Sequence, residues 1–551
     1  MPSAKAGRRL RDRLPVRLRH HWKPATALGV GLAAMVYFLG DARISPYVTS
    51  SSRVEADAIT DDVQGTVDLY DTSVSHSIQL AYQQTDFDKM MKEFKDDGTK
   101  DYIEADLTID GVYLNDVGIR LKGNSTLSSL RGAKGMPGGG RDMPQGGQGA
   151  PAGGAPGGAA GKEAGAGAGA AGKGQQAGGQ GQGQGQKAAG GQGQKAGGKG
   201  GMGGMMQFNL SAKKPEELPW LVKVDEYVEG RAYQGEREIS LRPGSNGQVP
   251  ANEALSLSLT DESGQKAERY AFTKLKVNNR PAATRLMVEA PDTDYADDVS
   301  GGNAVLYKAR ASGSFEYKSD DPSDYETSFK QLNKKGSQDL EPVMKLIKWA
   351  SKASDKEFAR DLDTYVDVDS FAKYVASQNL LLNFDDMAGP GKNYLLSYDL
   401  DTKKFSVLGW DYNLTFSGDA TTGPDDSVGM GGGMPGGAPG GAAQGKQGGG
   451  GADADAGAKG GMGGMGGRMQ HVLKSKFLDS DAFDGVYQKA YGELYQKFYG
   501  SGTATKDLKE IADQARKAGA DSKEFDTAVT KLQKTVTDRS AALAKNKKVT
   551  G

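Results

Sequence analysis

The chain of 551 residues contains no cysteine and only four histidines. The first absence excludes disulfides, thiolate nucleophiles and cysteine-held zinc. The second is nearly as restrictive. His20 and His21 lie in a basic N-terminal tail, which leaves His76 and His471 for any folded part. That argues against a Ser–His triad and against a histidine-ligated metal. A metal here would be held by oxygen ligands and would be a hard cation such as Mg2+, Mn2+ or Ca2+. A dominant charge is missing too, since 69 Lys and Arg face 70 Asp and Glu. Beyond the tail the chain is mildly acidic, so no nucleic-acid partner is expected.

Glycine is abundant but unevenly spread, with most of the 81 glycines in two tracts. Gly132 to about Met205 is Gly, Gln, Ala and Lys with scattered Pro, and a Gly/Met/Ala tract follows from about Ser427 to Gly467. Almost no large apolar residue offsets the entropy of ordering them, so both are expected to be disordered. Roughly 380 residues remain, enough for a sizeable core. The expected organisation is a basic tail (1–23), an apolar segment (24–41), a stalk with the first part of the body (42–131), the first insertion (132–205), the main body (206–426), the second insertion (427–468) and C-terminal helices of the same body (469–551).

Eight Lys or Arg precede Pro24 against one acid, Asp12. The uncharged run Pro24–Gly40 then sits at the short limit of a spanning helix, about 17 residues. Basic flanks of this kind keep the N-terminus in the cytoplasm, so the expectation is a single-pass membrane anchor with the body outside. Gly40-Asp41-Ala42 offers the alternative, a cleaved signal segment and a secreted protein; the length of the apolar run favours the anchor. Arg8-Arg9 hints at a twin-arginine signal, but the residues after it fit that pattern poorly.

The body alternates between two periods. Ser75–Leu80 reads as a strand and Asp86–Phe94 as a short helix. The alternating run 102–109 and Val112–Leu121 make a hairpin about Asp110-Gly111. After the first tract, strands are expected at Leu221–Val224, Glu238–Leu241, Lys274–Val277, Thr284–Glu289 and Ala304–Lys308, with a helix near Asn252–Leu259. Pro342–Ala353 and Val368–Leu382 read as amphipathic helices, the second capped by Asp369. Asn393–Ser397 and Phe405–Leu408 pair about a turn. From Met469 on, apolar residues recur at helical spacing, with Tyr487, Tyr491, Tyr495 and Tyr499 read as core. Strands first and helices later predict a two-part α+β body with a cleft between the parts.

Three clusters carry chemistry. Lys122-Gly-Asn-Ser-Thr126 ends a strand, where backbone N–H groups and a lysine suit phosphate oxygens, although such a turn is more often a plain hairpin. Asn383-Phe-Asp-Asp386, with Gly391-Lys-Asn-Tyr394 just beyond, has the layout of a kinase catalytic loop, in which an Asp orients the attacking hydroxyl and an Asn holds metal. Helix capping explains the same residues more blandly. Trp410-Asp-Tyr-Asn413 places an Asp at a strand end, suited to a metal bridging phosphates or to an ordinary turn. In this order the three support a nucleotide–metal site better than any does alone.

The segments 117–126 (VGIRLKGNST), 220–227 (WLVKVDEY), 303–308 (NAVLYK), Lys392-Asn-Tyr394 and 409–413 (GWDYN) resemble, in order, the motifs of the CotH family of atypical kinases. The likeness runs from about Tyr102 to the C-terminal helices, without the two tracts. It implies a kinase-like two-lobed fold and phosphoryl transfer from ATP, with Mg2+ or Mn2+, to Ser or Thr of an envelope or spore-coat protein. Carried across, Asp385 is the catalytic aspartate, Asp411 and Asn393 hold the metal, and Lys122 and Gly123 lie at the nucleotide. Lys223 is expected as the phosphate-pairing lysine, and Glu289 is a candidate by position. The family commonly has an arginine at the start of the helix after the Lys223 strand. This chain has Val249-Pro-Ala-Asn-Glu253 there, a departure that puts the internal ion pair of an active kinase in doubt. Asp386 also competes with Asp385 for the base. Both glycine-rich tracts are expected to leave from the mouth of the cleft, as arms that shield it or tether the protein to a surface polymer. Two other functions stay open: a catalytically silent kinase-like surface scaffold, and a glycoside hydrolase using Asp385 and Asp411 as its carboxylate pair.

Overall fold

The computed structural model describes residues 58–131, 209–428 and 470–550, apart from positions 124 and 246. The apolar segment 24–41 and nearly all of both glycine-rich tracts lie outside these residues. Among the described residues, no helix is long and apolar enough to cross a membrane.

The strand elements are β1 (Asp61–Val63), β2 (His76–Tyr82), β3 (Ile103–Ile109), β4 (Val112–Leu121), β5 (Trp220–Lys223), β6 (Arg231–Tyr233), β7 (Glu238–Leu241), β8 (Tyr270–Val277), β9 (Ala283–Glu289), β10 (Ala304–Ala309), β11 (Phe329–Gln331), β12 (Tyr394–Asp399) and β13 (Phe405–Gly409). The principal helices are α1 (Gln84–Asp96), α2 (Ala251–Glu262), α3 (Thr293–Ser300), α4 (Glu341–Lys352), α5 (Asp355–Tyr365), α6 (Val368–Leu380), α7 (Val472–Leu478), α8 (Asp484–Tyr495), α9 (Thr503–Lys517) and α10 (Lys523–Leu543).

Seven strands close into a barrel in the order β2-β3-β4-β5-β7-β9-β8. The period-two pattern of β2 buries His76, Ile78, Leu80 and Tyr82 and exposes the residues between them. The β3–β4 hairpin turns at Asp110 and Gly111 with φ of 49° and 88°, the left-handed pair that matches strand twist. A parallel pairing of β2 with β8, Leu80 opposite Val277, closes the cylinder. Closure removes both sheet edges, and the interior is filled by side chains such as Ile119, Trp220, Val222, Ile239 and Met287.

A second, four-stranded antiparallel sheet runs β11-β10-β12-β13. Around it and α2 the helices build the larger core, which includes Leu255, Leu346, Phe371, Tyr374, Tyr491 and Phe498. The tyrosines 487, 491, 495 and 499 are all buried there. Asp367, not Asp369, caps α6: its side chain accepts from the Ser370 N–H at 3.0 Å. Asp369 falls inside the first turn instead.

Two contacts bind the chain across the glycine-rich tracts. Strand β4 pairs with β5, Leu121 opposite Trp220. Fully buried Arg539 of α10 donates to Asn379 Oδ1 at 2.9 Å, the Asn379 carbonyl at 3.0 Å and the Tyr491 hydroxyl at 3.2 Å. None of these partners is a carboxylate, and the hydrogen bonds pin the C-terminal helices to α6.

Candidate active site

The outward faces of β4, β5 and β7 carry the first half of the site. Pairing places Gly118, Lys223 and Glu238 in one row and Arg120, Leu221 and Ser240 in the next. A third row holds Lys122, whose N–H donates to the Pro219 carbonyl, and Arg242, whose N–H donates to the Leu286 carbonyl. Alternation therefore puts Lys122, Lys223 and Arg242 on one face, but only the third row reaches Asp411.

Arg242 makes a buried ion pair with Glu253. Its Nη2 lies 2.5 Å from Glu253 Oε1, on the first turn of α2, and 3.6 Å from Asp411 Oδ1. The arginine missing from the start of the helix is thus matched by one at the end of the strand before it. Lys223 instead bonds Glu226 at 2.7 Å and lies 3.4 Å from Asp225. Glu289 is held by Arg269, which also pairs with Glu236, a network that does not include Asp385 or Asp411.

The second half comes from the loop after α6 and from β12–β13. Asp385 accepts from the Gly391 N–H at 2.5 Å and from Asn393 Nδ2 at 3.1 Å. A Cβ at Gly389 or Gly391 would collide with Asp385, so the backbone approach requires glycine at both. Neighbouring Asp386 is bound differently, to Lys474 of α7 and to the Ala388 N–H at 2.9 Å. Tyr394 pairs with Gly409, which brings Asn393 alongside the Trp410-Asp411 turn. Leu382, Lys392, Asp411 and Phe416 all take positive φ, between 49° and 57°. Each costs on the order of 1–3 kcal/mol, and their concentration in these loops is typical of functional sites.

Lys308, at the end of β10, stands with its Nζ 3.5 Å from the Trp410 ring centroid. Burial and nearby Lys122 push its pKa down to about 7. Lys122 is depressed to about 8, by burial and then by Arg242. Burial raises Glu253 to about 7 against the opposing pull of Arg242. Burial likewise raises Asp385 to about 6; the Gly391 N–H opposes this and the Asp411 charge adds to it. Two lysines with depressed pKa values thus share one electrostatic neighbourhood with two carboxyl groups whose values are raised.

Among the described residues, no three His, Cys, Asp or Glu side chains cluster closely enough to hold a metal. The oxygen donors present still suit a hard cation. Asp411 Oδ1 and Asn413 Oδ1 are buried without a hydrogen-bond donor, and Asn393 uses only its Nδ2 toward Asp385. Sequence reasoning missed Arg242 and Glu253 as site residues. The signal for Glu253 was a lone acid opening the apolar run Ala254–Leu259. Lys308 closes an otherwise apolar strand and stood in a quoted motif without a role.

The tracts do not flank the cleft equally. The second returns at His471 and Lys474, against Tyr394 and Asp386. The first leaves after Arg131, which lies over the Phe94 ring of α1, and the described chain resumes at Asn209, just before Ala212 and Lys213, which line a cavity along the same helix.

A closed barrel set against a helical body brings two lysines and an Arg–Glu pair together with two aspartates and an asparagine. The family model described as CotH kinase protein matches residues 209–543, and the chain belongs to the CotH family. It is 25% identical over 200 residues to inner spore coat protein H of Bacillus subtilis (strain 168), a match covering 35% of this chain and 54% of that relative. The match thus spans about half the length of that relative.

Proposed function

We propose that this protein is an atypical kinase that transfers the terminal phosphoryl group of ATP to a Ser or Thr hydroxyl of an envelope or spore-surface protein. The observation that carries this reading is the convergence of Lys122, Arg242 and Lys308 on Asp411, with Asp385 and Asn393 beside it. On this reading the barrel and α2 form one lobe and the helices the other. The glycine-rich tracts are insertions within one body, which the β4–β5 pairing and the Arg539 contacts support. On this reading the body lies at the cell or spore surface, in keeping with the name of the Bacillus relative, and the apolar segment 24–41 would anchor it.

Lys122 and Lys308 would bind the phosphates, and the Arg242–Glu253 pair would fix the barrel relative to Asp411. Mg2+ or Mn2+ held by Asp411 and Asn393 would neutralise charge developing on the transferring group. Asp385 would orient the acceptor hydroxyl. As the bond from the γ-phosphorus to the β-phosphate bridging oxygen breaks and the new P–O bond forms, Asp385 would take the hydroxyl proton. A pKa of about 6 leaves it mostly ionised at neutral pH and able to do so. Incorporation of the γ-phosphate of ATP into protein hydroxyls by the full chain tests the reading. The expected result is labelling that requires Mg2+ or Mn2+ and disappears with chelator. Absence of labelling with every metal and acceptor, while nucleotide still binds, would favour the silent scaffold.

The lysines add a separate prediction. At pH 8 the free protein carries Lys308 mostly neutral and Lys122 about half protonated. Bound phosphates favour the charged forms, so ATP binding takes up protons and its affinity falls as pH rises from 7 to 9. Calorimetry in buffers of different ionisation enthalpy reads the uptake directly. Lys308→Met should reduce it, and no uptake by the native protein would contradict this role for the lysines.

A further inference from the structure

A second cleft, of about 790 Å3, lies along α1 and is lined by none of the residues of the Asp385–Asp411 site. Its floor is apolar and aromatic: Tyr82 stacks on Phe87 with ring centroids 5.2 Å apart, and Met91 and Pro215 complete it. The floor is firmly built. Asn278 clamps the Tyr82 backbone from both sides, at 2.9 and 3.2 Å, and Trp220 Nε1 donates to the Pro215 carbonyl at 2.9 Å.

Two observations point to a ligand. Tyr82, which lines the cleft, is 9% exposed, and among the described residues its hydroxyl has no hydrogen-bond partner. A buried hydroxyl left unpaired costs free energy unless something binds it. The rim, moreover, carries Lys92, Lys95 and Lys213, none of which makes an ion pair among the described residues, and Arg280, which pairs with Glu216. Asp88 and Asp96 are the opposing charges, and Asp88 accepts from Gln84. The volume falls within the range of about 300–1,000 Å3 usual for ligand sites.

We infer that this cleft docks an acidic segment of a partner protein, with a large aromatic or aliphatic side chain on the Tyr82–Phe87–Met91 floor and its carboxylates on the three lysines. Charge decides against the chain's own first glycine-rich tract as occupant. Residues 132–208 hold seven Lys or Arg against two acids, a net charge of +5, which the lysine rim repels. The assignment does not depend on phosphoryl transfer, because binding is read without nucleotide.

The test is fluorescence anisotropy with the full chain and a labelled peptide of about twelve residues, rich in Asp and Glu around one central Phe. Three comparison ligands go with it: the peptide with Phe replaced by Gly, the peptide with Lys in place of the acids, and polyphosphate. The parent peptide should bind best. Lys92→Gln with Lys95→Gln should weaken it at least tenfold, and Tyr82→Phe several-fold. Both lysines are exposed, so an unchanged melting temperature shows that the double variant is folded. Equal binding of the Lys-substituted peptide, or indifference to the double substitution, would overturn the proposal. Equal binding of polyphosphate or of the Phe-free peptide would also overturn it, reducing the cleft to a simple anion-attracting surface.

Discussion

Asp385→Asn is expected to reduce phosphoryl transfer by about 10^2- to 10^4-fold, the range usual for losing a positioned general base, while leaving ATP binding nearly intact. The amide keeps the shape of the carboxylate and one oxygen to accept the Gly391 N–H, so the loop should hold its form. What it loses is the capacity to take a proton. The native protein should accordingly show a bell-shaped pH dependence of kcat/KM. Activity rises as Asp385 ionises through a pKa of about 6 and falls as Lys308 and Lys122 lose their protons through about 7 and 8. Asp386→Asn should behave otherwise. It removes the partner of Lys474, a structural contact at the root of α7, and should lower stability more than it changes the acid limb. If Asp386→Asn abolished the acid limb and Asp385→Asn left it in place, the two roles would be reversed.

Arg242→Ala should be the most disruptive single change in the cleft. Glu253 is 1% exposed, and without Arg242 its carboxylate has no cation at ion-pair distance. Breaking a buried pair from one side costs about 3–5 kcal/mol, because the remaining charge is stranded. The loss should depend on pH. Glu253 already titrates near 7 in the folded protein, above its unfolded value, and removing the arginine raises it further. The penalty is therefore absent below the unfolded pKa and grows as pH rises through the folded one. Thermal melts should show a large deficit for Arg242→Ala at pH 8 that shrinks toward pH 5. Adding Glu253→Gln should recover much of the stability but not nucleotide affinity, since the cation facing Asp411 is still gone. If the double variant bound ATP as well as the native chain, the pair would be structural only.

Local order was largely legible from residues. The period-two pattern of 76–82, the Asp110-Gly111 turn and the apolar spacing of α1 and of the C-terminal helices fix those elements through backbone geometry alone. Barrel closure was not legible, because it rests on pairing Leu80 with Val277, a contact nearly two hundred positions apart. The Arg242–Glu253 pair escaped for a related reason. Lys223 and Arg242 share a face of the barrel, and only the register of β5 on β7 shows which of them reaches the end where α2 begins. Glu289 sits on the expected strand, but its neighbour across the ladder, Arg269, claims it. Asp385 and Asp411 stand out in the sequence because each follows a regular element in a polar turn, where chemistry-bearing residues tend to stand.

The central claim is that Asp411 anchors a metal-dependent nucleotide site. Calorimetric titration of ATP into the full chain, with and without Mg2+, compared with Asp411→Ala, tests it most directly. The account predicts binding that strengthens markedly with Mg2+ in the native protein, and loss of that gain in the variant. Binding that ignores Mg2+, or a variant that keeps the full metal dependence, would contradict it.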